Sequence, residues 1–163
     1  MVVLKRLYTE YYGVQPTMVV PLTAAGSARQ YFRIQAGGTS LVGVIGESIE
    51  ENRAFIALSQ HLANAGLPVP SVVATSDDMS RYLQTDLGNT SLYDALTPCR
   101  KSGEWDNEAY NLLATTMRLL ARMQVDGDCG LDYSVCYPTP SFDLRSIMFD
   151  LNYFKYCFLK ATG

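Results

Sequence analysis

Residues 24–34 read "AAGSARQYFRI", five small residues running into a strand-like alternation. Small residues let backbone N–H groups come close to phosphate oxygens, which larger side chains would obstruct. Read alone, the same stretch is equally a plain hairpin loop. Other groups invite chemistry less well. "QVDGDCGLDY" (124–133) holds Asp126, Asp128 and Asp132 beside two glycines, but no glutamate stands at the twelfth position of a calcium loop. Cys99, Cys129, Cys136 and Cys157 form no C-x-x-C pair, and only His61 could join them as a nitrogen ligand. The expectation is therefore no metal site, four free buried or half-buried thiols, and a helix-flank histidine.

The elements that must position such groups follow from spacing. "LKRLYTEYYG" predicts a helix ending near Gly13, and "TMVVPLT" (17–23) a strand. "RQYFRI" and "SLVGVIG" read as a hairpin about Gly37 and Gly38. From Ile49 the period changes to 3.6, with Phe55, Leu58 and Leu62 on one face. Glu47, Glu50 and Glu51 favour the helix start, and Gly66, Pro68 and Pro70 stop it. "SVVATSDD" (71–78) and "RYLQTDLG" (81–88) predict two more strands. Helices follow at 91–96, 106–124 and 144–160. In the second of these, Leu112, Leu113, Met117, Leu120 and Ala121 are expected to face inward.

Five strands with one helix after the third, then helices alone, predict an α+β arrangement divided near residues 86–90. With 163 residues, 48% hydrophobic and 18% charged, the chain can build a core. A net charge of −3 argues against a nucleic-acid partner. No apolar run suggests a membrane span, and the N-terminus lacks signal-peptide features, so a cytoplasmic location is expected.

Three segments in this order resemble a known family. "GSARQYFRI" (26–34), "GLPVPSVVA" (66–74) and "YLQTDLGNTSLYDAL" (82–96) are similar to the nucleotide loop, helix–strand junction and hinge of aminoglycoside and choline phosphotransferases. These belong to the protein-kinase-like fold, and the resemblance is closest to bacterial sugar kinases acting on N-acetylmuramate and N-acetylglucosamine. It implies an N-lobe at 1–85 with a five-stranded antiparallel sheet and one helix. A hinge at 86–90 and an incomplete helical C-lobe at 91–163 would follow.

The cofactors implied are ATP and Mg2+, the substrate a small-molecule hydroxyl. Gly26 and Ser27 would lie over the phosphates. Val42 and Val44 would wall the adenine, and Gln84, Thr85, Asp86 and Leu87 would offer it backbone groups. The strand-three lysine that usually holds the phosphates is missing, with Val44 or Ile45 in its place. Arg29 and Arg33 are the candidates to replace it, the other reading being surface arginines. Glu51, or Glu50 in another register, would be the helix glutamate, helix-dipole stabilisation being the plainer account of either.

Nothing in the chain has the context of an Asp-x-x-x-x-Asn catalytic loop. In "FDLNYF", Asp150 and Asn152 stand too close together. The resemblance thus predicts an N-terminal fragment of a phosphotransferase, inactive alone and without catalytic or metal-binding residues of its own. The alternative is a non-catalytic nucleotide- or protein-binding module. The aromatic last helix, with Phe149, Tyr153, Phe154, Tyr156 and Phe158, would either self-associate or pack on the helix at 106–124.

Overall fold

The computed structural model describes residues 1–23 and 28–162. It divides into two compact units, Met1–Leu131 and Asp132–Gly163. The first opens with helix α1 (Val2–Tyr12) and continues through strands β1 (Met18–Leu22), β2 (Gln30–Ala36) and β3 (Thr39–Ile45). Helix α2 (Ile49–Asn64) precedes β4 (Val72–Thr75) and β5 (Arg81–Thr85). Two short helices, α3 (Leu92–Ala95) and α4 (Thr97–Ser102), lead to α5 (Asn107–Val125). The second unit holds a 3₁₀ turn at Tyr133–Val135 and helix α6 (Leu144–Phe154), which runs on as one π-helical stretch to Leu159.

The strands form one antiparallel sheet in the order β1-β2-β3-β5-β4. This α+β arrangement is compatible with the N-lobe implied by the resemblance. Alternation along each strand creates two unlike faces. Phe32, Ile34, Ala36, Leu41 and Leu83 point to α1, whose Leu4, Leu7 and Tyr8 repeat at helical spacing. Leu4 lies over Gly43. Burying Leu4, Ile34 and Leu83 completely stabilises the fold by about 1.5–3 kcal/mol each. Val42, Val44 and Tyr82 point the other way, to Phe55 and Ile56 of α2. Val73 is an extra residue in β4, since Val72 faces Gln84 while Ala74 faces Leu83.

Helix α2 is anchored by polar groups more than by its apolar stripe. Ser48 caps its start by accepting from the Glu51 N–H at 3.3 Å. Asn52, fully buried, donates to the carbonyls of Gly46 (2.8 Å) and Met79 (2.9 Å). The Ser59 hydroxyl donates to the Pro70 carbonyl. Leu58 and Leu62, expected to carry the buried face, are only partly covered.

Two other expectations are corrected. Helix α5 buries Ala109, while Leu112, Met117 and Leu120 are exposed, because no described element covers the stripe they form. Cys129 and Cys157 are exposed, not buried; Cys99 and Cys136 are half-buried, and all four are free. His61 lies on the flank of α2, its Nε2 2.8 Å from the Gly127 carbonyl oxygen. Among the described residues no helix is long and apolar enough to cross a membrane.

Candidate ligand face of the sheet

The face opposite α1 gathers the sequence-singled residues. Strand parity and register set Tyr31 and Arg33 of β2 beside Ser40, Val42 and Val44 of β3, and the valines beside Tyr82 and Gln84 of β5, with Asp86 one residue beyond that strand. Helix α2 covers one end, near Val44 and Tyr82. The other end leads to the segment 86–90. Gly26 and Ser27 lie outside the described residues.

At the α2 end, Arg29 sits one residue before β2. Its Nη2 donates to the Glu51 carbonyl (3.0 Å) and pairs with Glu51 Oε1 (3.1 Å). The guanidinium lies 5.3 Å from the centre of the Phe55 ring, a cation–π arrangement. Phe55 in turn stacks on Tyr82 at 5.2 Å and 25°. Arg29 has 11% of its side chain exposed and Glu51 44%, so the pair opens to solvent on the Glu51 side. Glu50 makes no ion pair among the described residues.

Tyr82 is fully buried, and its hydroxyl finds no hydrogen-bond partner among the described residues. Burial pushes it from 10.0 up to about 12, with Arg29 pulling partly the other way. The fold therefore favours the neutral phenol. That contribution is complete below the ordinary tyrosine range and is lost as pH rises from about 10 to about 12. Tyrosinate absorbance should show a late-titrating component that Tyr82→Phe removes. A full tyrosine titration by pH 11 in the native protein would contradict this burial.

At the other end, Arg33 and Asp86 form a bidentate ion pair: Nε to Oδ2 at 2.6 Å and Nη2 to Oδ1 at 2.9 Å. Their side chains are 13% and 7% exposed. Asp86 also accepts from the Ser40 hydroxyl (2.5 Å) and the Gly88 N–H (3.0 Å). Arg33 further donates to Asn89 Oδ1 and to the Gly88 carbonyl. Arg33 first, then Ser40 and Gly88, hold the Asp86 carboxyl well below the usual carboxylate range. Gly88 adopts φ 90, a left-handed conformation that glycine takes at no steric cost. That turn lets its N–H reach Asp86 while its carbonyl meets Arg33.

Between Asp86 and Gly88, Leu87 is 69% exposed. Its backbone N–H and C=O make no hydrogen bond with any described residue. The Gln84 Oε1 atom is buried without a partner among the described residues. The face thus sets a buried apolar strip of Val42, Val44 and Tyr82 between one arginine–glutamate pair and an edge of free backbone polarity.

No three His, Cys, Asp or Glu side chains converge as a metal site needs among the described residues. Asp126 pairs with Arg122 at 3.0 Å, and Asp132 caps the 3₁₀ turn by accepting from Ser134. Tyr82, Ser40 and Asn89 were not singled out by sequence, and Phe55 only as part of the apolar face of α2. Their common signal is parity with Val42 and Val44, or a position directly on the segments already read.

No protein-family model matches the chain. Over 86 residues it is 35% identical to the N-acetylmuramate/N-acetylglucosamine kinase of Pseudomonas aeruginosa. The match takes in 52% of this chain and 25% of that relative, so it spans a quarter of the relative's length. This similarity supports a relationship to a sugar kinase.

Proposed function

We propose that this sheet face binds ATP as the nucleotide site of a kinase-type phosphotransferase whose acceptor is a hydroxyl of an amino sugar. The observation that carries the reading is the Arg29–Glu51 pair at the α2 end of the face, beside the buried Val42 and Val44. A cation from the sheet held by a carboxylate at the start of the following helix is what a phosphate-binding site in a protein-kinase-like fold uses. Here the cation comes from the start of β2, where the chain has no strand-three lysine. The partial similarity to a sugar kinase supports the same class and suggests the amino-sugar acceptor.

Within this reading the base lies against the exposed Leu87, with Val42 and Val44 buried behind it as support, and the hinge at 86–90 gives it the Leu87 backbone groups. Arg29 meets the phosphates, with Gly26 and Ser27 above them. The residues present fit a nucleotide; they do not form a protein cage for magnesium, which would enter on the phosphate oxygens. The role assigned to these residues is binding and orientation, which is most of what phosphoryl transfer asks of a protein. The location proposed is the cytoplasm, where ATP is supplied.

Titration calorimetry with ATP and magnesium tests this directly. The expected dissociation constant lies between about 10 μM and 1 mM. Absence of heat with both ATP and adenosine at several times that range overturns the reading.

A further inference from the structure

We infer that Arg33 is a positioning residue which, through Asp86, locks the 86–89 segment against β2 and β3 and meets no phosphate. The inference rests on the proposed nucleotide site. Four of the five guanidinium N–H groups of Arg33 are already committed, to Asp86 twice, to Asn89 and to the Gly88 carbonyl. Asp86 is equally occupied, taking Arg33, the Ser40 hydroxyl and the Gly88 N–H. What sets Arg33 apart from the equally covered Arg29 is this number of committed hydrogen bonds, not its burial. What the cluster does is join three separate pieces of chain: β2 at Arg33, β3 at Ser40 and the turn at Gly88–Asn89.

The free backbone groups of Leu87 lie inside that turn, flanked on both sides by clamped residues. Fixing their direction before a ligand arrives removes ordering cost from binding. The consequence is specific. Loosening the clamp weakens whatever touches the 86–89 edge, and leaves the phosphate end alone. Adenosine and ATP should therefore lose affinity by the same factor.

The test compares ATP and adenosine binding by the full chain with and without Arg33→Lys, which keeps the charge and removes the planar fork. Both affinities should fall about tenfold, with their ratio unchanged. Asn89→Ala, which removes one contact, should move both in the same direction by about threefold. It also serves if Arg33→Lys does not fold. Amide exchange, measured without ligand, should show Gly88 protected in the native protein and exchanging about tenfold faster in the variants. A loss confined to ATP makes Arg33 a phosphate ligand and overturns the inference, as does no change in either affinity. If the native protein binds neither ligand, the nucleotide reading falls. An unprotected Gly88 amide would then overturn the clamp by itself.

Discussion

Gly46→Ala lowers the stability of the fold by about 2–4 kcal/mol, Asn52→Ala by about 2–5 kcal/mol, and the double variant by clearly less than their sum. Asn52 is buried completely, and its amide holds the Gly46 and Met79 carbonyls at 2.8 and 2.9 Å. Removing it leaves two carbonyls without their donor, at about 1–3 kcal/mol each where water cannot replace it. One of these carbonyls belongs to a residue under backbone strain. Met79 has φ 58, a conformation that costs a side-chain-bearing residue about 1 kcal/mol and persists because its surroundings hold it. Gly46 belongs to the same device, since its N–H donates to the Ser80 carbonyl at 3.0 Å. A Cβ at Gly46 would press on the Asn52 amide, standing 3.0 Å from both Cγ and Nδ2 and nearer still to Oδ1. The amide would have to move, and both its hydrogen bonds would stretch. Once Asn52 is alanine the obstruction is gone, which is why the two losses overlap. Denaturant unfolding of the four proteins in the cycle measures this. Additive losses would show that the glycine answers to something other than Asn52. The stake is functional too, because Asn52 adjoins Glu51, and Glu51 holds Arg29.

The sheet was legible because its strands alternate. The two-glycine turn at 37–38 fixes the register of β2 on β3, and with it the parity that puts Arg33, Val42 and Val44 on one face. Helix α1 was legible from Leu4, Leu7 and Tyr8, three apolar residues at one helical spacing. The buried side of α2 was not, for an equally physical reason. Asn52 and Ser59 lie seven residues apart on the covered face, and apolar periodicity passes over them in favour of Leu58 and Leu62. Helix α4, "TPCRKS", has no apolar face to declare itself; its proline at the start and the left-handed Gly103 at its end are its signals. The stripe on α5 has the helical period, but period tells which residues share a face and not whether anything covers it. At the candidate site the sequence named Arg29, Arg33, Glu51 and Asp86 one by one and could not name their partners. Asp86 is 53 residues from Arg33, and only the completed β2-β3-β5 register brings them together. Tyr82 was hidden because a tyrosine in a strand reads as sheet-forming, whatever its hydroxyl does.

Arg29→Gln is expected to weaken ATP binding about ten- to hundredfold and to change adenosine binding less than about threefold. A hydrogen bond to a charged group contributes about 1.5–3 kcal/mol, which is that factor in affinity. Glutamine keeps polarity and much of the length, so the substitution tests charge and fork geometry more than bulk. The contrast with adenosine matters because Arg29 also packs on Phe55, which stacks on Tyr82. If the arginine served only that packing, both ligands would suffer alike through the shared wall. If it serves the phosphates, the loss belongs to the nucleotide alone and shrinks as added salt screens the native interaction. Glu51→Gln should act in the same direction by about threefold, since it releases the guanidinium from Oε1 while the Glu51 carbonyl still holds Nη2 at 3.0 Å. Equal losses for ATP and adenosine in Arg29→Gln would remove Arg29 from the phosphate role. With Arg33 already bound to Asp86, the described part of the sheet face would then contain no arginine or lysine left for that task. The nucleotide reading would have to rest on backbone N–H groups instead. A single pair of titrations on one variant therefore decides whether this face replaces the strand-three lysine by an arginine just before the neighbouring strand β2, or does without a cation there.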